Sequence, residues 1–408
     1  MRNVAVVGVG MSKHVSKRRD VNIPELVYEA VRPCFDETGL SPKDIDALVT
    51  GNMPAFEGLN TPELWGAGYW GGLRKPALRI TTGGTTGMSV AHGAIYMVAS
   101  GLYDTVLTLA FEKQSDGDTT MGLNSVGLAD FANVFEYKGD MESVTLSFGG
   151  AIGLFVYQAA RYMAKSGCTI DHFDRAAAML RNNAAKNPYA HLKQPGSTAE
   201  DIAASRMLTY PLRYGHTCPA SDGAVAMILT SEDRAGKIAD KPAWIKGLAA
   251  CSEVATAIGE YGGGSINIDP TEQRSCRFAA NKAYKMAGIE DPTREIDLAE
   301  PYIPFAHLLF IYFERLLLCK EGDAPRLFDE GVMDIEGDLP TCPSGAVMST
   351  NAIGASAMER IAECALQIMG RAGEHQASKE VHNAVAHGLG GAANFNTVTV
   401  LGDKPNRG

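Results

Sequence analysis

No apolar stretch in the 408 residues approaches the roughly 18–20 needed to cross a bilayer, so no membrane-spanning helix is expected. The opening MRNVAVVGVGMSKH is too short and too glycine-broken for a secretory signal, and reads as a first strand. Eight cysteines occur without a Cys-x-x-Cys pair or zinc-like spacing, which predicts neither a disulfide framework nor a metal site, and a reducing cytoplasm. Gly8-Val9-Gly10 follows the first strand, but Lys13 takes the place of the third glycine of a dinucleotide fingerprint. GGTTG, from Gly83, lacks the Gly-Lys-Ser/Thr ending of a phosphate loop, so neither NAD nor ATP is supported. Basic charge is also in deficit: 37 Lys and Arg against 47 Asp and Glu leave a formal net charge of −10. That balance argues against nucleic acid or an anionic membrane as the main partner, while leaving room for a local basic patch on an anionic cofactor.

What is present is an ordinary globular composition, 45% hydrophobic and 21% charged, on a chain long enough for two fused halves. VYEAVRPCFDETGLSPKDIDALVTGN and AANKAYKMAGIEDPTREIDLAEPY share one design. Each has a helix closing on a glycine and an apolar residue (Gly39-Leu40, Gly288-Ile289), a proline turn (Pro42, Pro292), then an Ile-Asp pair before a short strand. A second pair, GTTGMSVAHGAIYMVASG and NAIGASAMERIAECALQIMG, starts with small residues and continues as helix. DTVLTLAFEK, DGAVAMILTSE and NTVTVLG read as buried strands between helices. The expectation is an α/β fold with two similar halves, 1–113 plus 222–245 and 246–408. Residues 114–221 form an inserted cap, glycine-rich at first, then carrying the amphipathic helix AIGLFVYQAARYMAKSG.

TTGGTTGMSVAHG, from Thr81, has the layout of a loop, a tight turn and a small-residue helix, where enzymes often place a nucleophile. Gly84 stands where a thiol would be sought.

Together with NPYAH, PLRYGHTCPASDGA and GLGGAANFNTVTVLG, these segments resemble the thiolase superfamily nearly end to end and in order, and most of all its sterol-carrier-protein-X-like branch. The resemblance implies a duplicated thiolase fold, five-layered αβαβα with an inserted loop domain. It also implies coenzyme A as substrate or acyl carrier, and cleavage of a carbon–carbon bond beta to a thioester. By the same resemblance the acyl-accepting cysteine falls on Gly84. The His-Asp-Cys-Phe-like motif becomes Tyr302, Ile303 and Pro304, and the Gly-His-Pro motif becomes Thr350-Asn351-Ala352. His387, in AHGLGG, is nearest the place of the second catalytic cysteine.

What remains is main chain: N–H groups at Gly84-Thr85 and in the turn from Gly388 predict an oxyanion hole for a thioester enolate, each donor contributing about 2.7–4 kcal/mol. Tyr302 is a candidate for proton transfer at the beta oxygen if its pKa is lowered locally; it serves equally well as a strand-end tyrosine. His387 is a candidate general acid/base, and Asn351 an oxyanion donor or a helix cap. Cys342 is a relocated nucleophile or a buried small residue. Cys218 reads as core, His92 as packed or solvated, and His191 and His216 have no assigned role. The leading expectation is thiolysis of a bulky or branched 3-oxoacyl-CoA such as benzoylsuccinyl-CoA, in aromatic compound degradation. The resemblance further implies a homodimer of this chain joined by a small zinc-ribbon and OB-fold subunit. Two alternatives stand beside it: a retro-aldolase of the steroid side-chain type, and a non-catalytic acyl-CoA-binding subunit.

Overall fold

The computed structural model describes residues 2–117, 150–253, 269–391, 393 and 395–406; most of the glycine-rich start of the inserted segment, 118–149, lies outside the described residues. The strands are β1 (Val4–Met11), β2 (Ala47–Gly51), β3 (Ala77–Arg79), β4 (Thr105–Lys113), β5 (Met207–Thr209) and β6 (Leu212–Arg213). They continue with β7 (Asp222–Ser231), β8 (Ala243–Ser252), β9 (Leu298–Glu300), β10 (Asn383–Gly390) and β11 (Phe395–Gly402). The principal helices are α1 (Ile23–Thr38), α2 (Thr86–Ala99), α3 (Gly150–Ser166), α4 (Ile170–Lys186), α5 (Arg274–Ala287), α6 (Leu308–Arg315) and α7 (Ile353–Met369).

The duplication is written in the strand order, β3-β2-β4-β7-β1-β8-β11-β10-β9. From one edge, β2 runs parallel to β4, β4 antiparallel to β7, and β7 antiparallel to β1. From the other, β9 runs parallel to β10, β10 antiparallel to β11, and β11 antiparallel to β8. The halves meet where Ala5 and Val6 pair with Trp244 and Ala243. The repeated Ile-Asp pair now has a physical reason. Asp46 accepts the N–H groups of Asp104 and Thr105 as β4 begins, and Asp297 accepts those of His382 and Asn383 as β10 begins. Each acid satisfies donors that would otherwise be orphaned at a strand start. Gly39 and Gly288 close α1 and α5 at φ 66° and 71°, a left-handed geometry that costs glycine nothing.

α1 lies on the outer face of β1, β4 and β7, and α5 on that of β8 and β11, while α2 and α7 fill the space between the halves. The layers are therefore helix, sheet, helix, sheet, helix. α7 is buried along all of its length, as a helix in a middle layer must be. The small residues of α2 allow the crossing: a β-carbon on Gly87 would stand 2.6 Å from the Met358 nitrogen and 2.9 Å from the Ala355 oxygen.

In the inserted region, α3 and α4 pack against α6 and its approach. Phe155 stacks on Phe305 at 4.5 Å between centroids, and Phe173 meets Phe310 at 6.2 Å. The chain leading into β7 pairs with the chain after β9: Cys218 N–H donates to the Pro304 carbonyl and Ala306 N–H to that of His216, with Thr217 bridged to Phe305. That pairing sets the position of Cys218.

Candidate active site

The loop before α2 is held by its own threonines. Thr85 donates to the Thr82 carbonyl at 2.8 Å, Thr86 to the Gly83 carbonyl at 2.6 Å, and Thr82 Oγ1 meets Ser89 Oγ at 2.7 Å. Hydroxyls that fold back on local backbone in this way fix a turn. α2 starts at Thr86 with no side-chain cap; the Thr86 N–H donates to the Gly83 carbonyl at 2.9 Å, and no side-chain oxygen caps the N–H groups of the first turn that follow it.

The facing element is the end of β10. A β-carbon on Gly84 would stand 2.3 Å from the Leu389 oxygen and 3.4 Å from the Tyr302 hydroxyl. One on Gly390 would stand 2.6 Å from the Thr82 oxygen. Two main chains are thus in direct contact, and no side chain fits at position 84. The expected second donor, Gly388, is displaced from this contact. It sits inside the β10–β11 ladder opposite Thr397, and the space at its α-carbon is filled by Thr397, Ala357 and Thr85. Leu389 faces Gly84, and Gly390 faces Thr82 and Gly83.

Tyr302 emerges two residues past β9 and its hydroxyl donates to Asn351 Oδ1 at 3.3 Å. Ser356 Oγ lies 3.2 Å from the same oxygen. The other end of the amide, Asn351 Nδ2, donates to Cys218 Sγ at 3.2 Å. Asn351 itself is fixed by main chain: its N–H donates to Ser221 Oγ, and its carbonyl accepts from Gln114 and from the Ser221 N–H. It does not cap α7, whose N-cap is Ala352. One amide therefore ties a phenol to a thiol, directly beside the Gly84 cradle. Tyr302 and Asn351 are buried, and Cys218 is half-buried.

The proton chemistry differs from the sequence expectation at three residues. Burial pushes the Tyr302 phenol well above its ordinary range, and negative charge on Glu359, or on Cys218 when that thiol ionises, adds to it, so the hydroxyl rests protonated and the local lowering expected for a base is absent. His387 is fully buried. Its Nδ1 accepts from the Tyr302 N–H at 3.3 Å and its Nε2 donates to Asn396 Oδ1 at 2.8 Å, because Asn396 Nδ2 is already spent on Ser275 and the Ala393 carbonyl. Burial lowers its pKa to about 4 against a smaller upward pull from Asn396. With both nitrogens engaged and Tyr312 packed on its ring at 4.2 Å, His387 orients the Tyr302 backbone and is no general acid/base. Cys342 is fully buried at φ 53°, its thiol donates to the Pro301 carbonyl at 3.6 Å, and burial beside Glu300 pushes its pKa well up. A sealed, protonated thiol is no nucleophile. Cys218, read as core, is the thiol that reaches the site; no local spacing marks it, since its place comes from pairing with a segment 86 residues away (304 against 218).

Two family models cover the chain: "Thiolase, N-terminal domain" over residues 4–195 and "Thiolase C-terminal domain-like" over 265–403. The chain belongs to the thiolase superfamily. Among curated thiolase-fold relatives it is 28% identical to the acetyl-CoA acetyltransferase of Methanothermobacter thermautotrophicus, over 98% of this chain and 100% of that one. It is also 28% identical to the 17-hydroxy-3-oxo-4-pregnene-20-carboxyl-CoA lyase of Mycobacterium tuberculosis, over 95% and 96%. Among solved structures, the Ltp2-ChsH2(DUF35) aldolase superimposes with a TM-score of 0.81 at 25% identity, covering 98% of each chain.

Behind the site, this thiolase-fold chain buries a charge network. Arg360 reaches Glu300 at 2.5 Å and Glu359 at 3.0 Å, and Ser344 donates to Glu300 at 2.9 Å. Burial raises Glu300 to about 7 against the pull of Arg360. Glu300 ends β9, so the network anchors the strand that presents Tyr302. Of the other histidines read from the sequence, His92 meets Thr399 at 2.8 Å in the core, and His216 meets Asp174 at 2.7 Å. His191 Nδ1 meets Ser221 Oγ at 2.9 Å, one step behind Asn351. Among the described residues no group of three or more His, Cys, Asp or Glu side chains is arranged to hold a metal, and no helix is long and apolar enough to cross a membrane.

Proposed function

We propose that this protein is a carbon–carbon lyase that cleaves a bulky 3-hydroxyacyl-CoA by a retro-aldol step, giving a shorter acyl-CoA and a ketone or aldehyde. The observation that carries the reading is the cradle at Gly84: the Leu389 carbonyl occupies the space of any side chain there, and the Tyr302 hydroxyl borders it. A site closed to a nucleophile at that position, yet bordered by a phenol, suits a reaction with no acyl-enzyme. When the bond between the alpha and beta carbons breaks, its electron pair becomes the thioester enolate, whose oxygen the N–H groups at the start of α2 would hold. The proton leaving the beta hydroxyl equals in number the one the alpha carbon takes up. A neutral, protonated Tyr302 can therefore serve as relay, with no permanent base. The lyase and aldolase among the relatives support this reading, and the aldolase complex supports a partner subunit of the DUF35 type.

Thiolysis of a 3-oxoacyl-CoA such as benzoylsuccinyl-CoA is the second reading, favoured by the Cys218 thiol that shares the Asn351 amide with Tyr302. The test is product analysis by mass spectrometry, with the chain alone and as co-purified from its source. A panel of 3-hydroxyacyl-CoA esters is expected to yield a carbonyl compound and a shortened thioester. Turnover of only the 3-oxo esters, and only with free CoA, would overturn the lyase reading.

A further inference from the structure

We propose that Cys218 is the group that protonates the alpha carbon in this site, an assignment that rests on the lyase reading above. Retro-aldol cleavage needs protons handled at two places one bond apart. Tyr302 serves the beta oxygen, and a second group must serve the alpha carbon. Cys218 is the thiol placed to do so. Its sulfur accepts the Asn351 Nδ2 hydrogen at 3.2 Å, and the same amide takes the Tyr302 hydroxyl on its oxygen. The sulfur is fixed relative to Tyr302 because the Cys218 main chain is hydrogen-bonded to Pro304, two residues farther along the same segment. It is also half-buried, whereas Cys342, behind Pro301, is sealed. Burial raises the Cys218 pKa to about 11, opposed by the Asn351 hydrogen bond, so the thiol holds its proton at neutral pH and is available as a donor.

The step balances. The bond between the alpha and beta carbons breaks and its electron pair forms the enolate; the S–H bond breaks and a C–H bond forms at the alpha carbon. The beta hydroxyl loses its proton to the Tyr302 oxygen as Tyr302 gives up its own to solvent, and the Cys218 thiolate takes a proton back from solvent, so that the two transfers cancel and both residues are restored. The amide N–H on the sulfur stabilises the thiolate formed in passing, as charge-assisted hydrogen bonds do. Gly84 then supplies main chain alone, and the proton-transfer groups reach the site from the segments after β9 and before β7.

The test is exchange of the alpha hydrogens of propionyl-CoA in D2O, followed by mass spectrometry, which probes the alpha carbon without any cleavage. The wild-type protein is expected to wash in deuterium, faster as pH rises, because the thiolate is the base in that direction. Cys218→Ala should lose exchange by roughly 100-fold or more. Tyr302→Phe should keep it within about threefold while cleavage of 3-hydroxyacyl-CoA is lost. Cys218→Ser, with thermal melting of each variant, separates loss of the proton donor from loss of fold: a folded Ser variant with slow exchange supports the assignment. Undiminished exchange in Cys218→Ala, no exchange in wild type, or an acyl group trapped on Cys218 overturns it. Exchange that depends on Cys218 without cleavage of any 3-hydroxyacyl-CoA leaves the assignment standing and sinks the lyase reading.

Discussion

The Tyr302 hydroxyl donates to Asn351 Oδ1 across 3.3 Å, joining the end of the β9 segment to the residue that precedes the N-cap of α7. Both residues come from the C-terminal half of the duplicated design, and the N-terminal half adds Gly84, before α2, beside the same hydroxyl. The bond holds the phenol at the border of the Gly84 cradle.

Replacing Tyr302 by Phe keeps the ring and removes the proton. We expect kcat to fall by about 10²–10⁴-fold with KM and melting temperature little changed. Cys342→Ala, in a sealed position, should leave kcat within about threefold and lower stability by about 0.5–3 kcal/mol. Steady-state kinetics and thermal melting check both. A dead Cys342→Ala variant that is still folded contradicts the placement.

Gly84→Cys should fail to create a thiol-dependent enzyme. The new β-carbon meets the Leu389 carbonyl at 2.3 Å, backbone rather than a flexible side chain, so the cradle must open. Overpacking of this kind costs about 1–3 kcal/mol. Melting should drop and no acyl group should be found on the introduced thiol by intact-mass analysis. A stable variant that acylates there would show that the cradle yields.

The Glu300–Arg360 pair is buried on both sides, at 0% and 3% side-chain exposure. Removing one partner strands the other, which costs about 3–5 kcal/mol, whereas removing both relieves the desolvation of each. Arg360→Met is therefore expected to be strongly destabilised, since it takes a partner from both Glu300 and Glu359, and Glu300→Gln with Arg360→Met to recover the Glu300 share of the loss. Denaturant unfolding of the two single variants and the double variant checks this.

Acid sensitivity follows from His92. Burial lowers its pKa from 6.5 to about 3, so between those values the unfolded chain binds a proton that the folded chain refuses. Its contribution is intact above pH 6.5 and declines as pH falls, by about 2 kcal/mol at pH 5. His92→Gln should flatten the acid limb of a stability-versus-pH curve by about that amount. An unchanged limb would mean that the ring gains its proton in the folded state.

Much of the architecture is legible in the sequence because its signals are local. Gly39 and Gly288 mark helix ends, Asp46 and Asp297 mark strand starts, and the small residues around Gly87 mark a close helix crossing. The site is less legible because its roles are set by tertiary neighbours. Nothing near His387 announces that Tyr312 covers its ring and that Asn396 takes its Nε2 proton. Nothing in HTCPASDGA shows that Cys218 will pair with Pro304 and so reach Asn351, while Cys342, the more conspicuous thiol, turns into the core.

The most direct measurement is the dependence of turnover on free CoA. With a 3-hydroxyacyl-CoA bearing a bulky carbinol, the rate of appearance of the shortened thioester is followed as free CoA is raised from zero to millimolar. A lyase working through the Gly84 cradle and Tyr302 gives the full rate at zero CoA, with carbonyl product formed one for one. A rate that vanishes without CoA and rises with it contradicts the lyase mechanism.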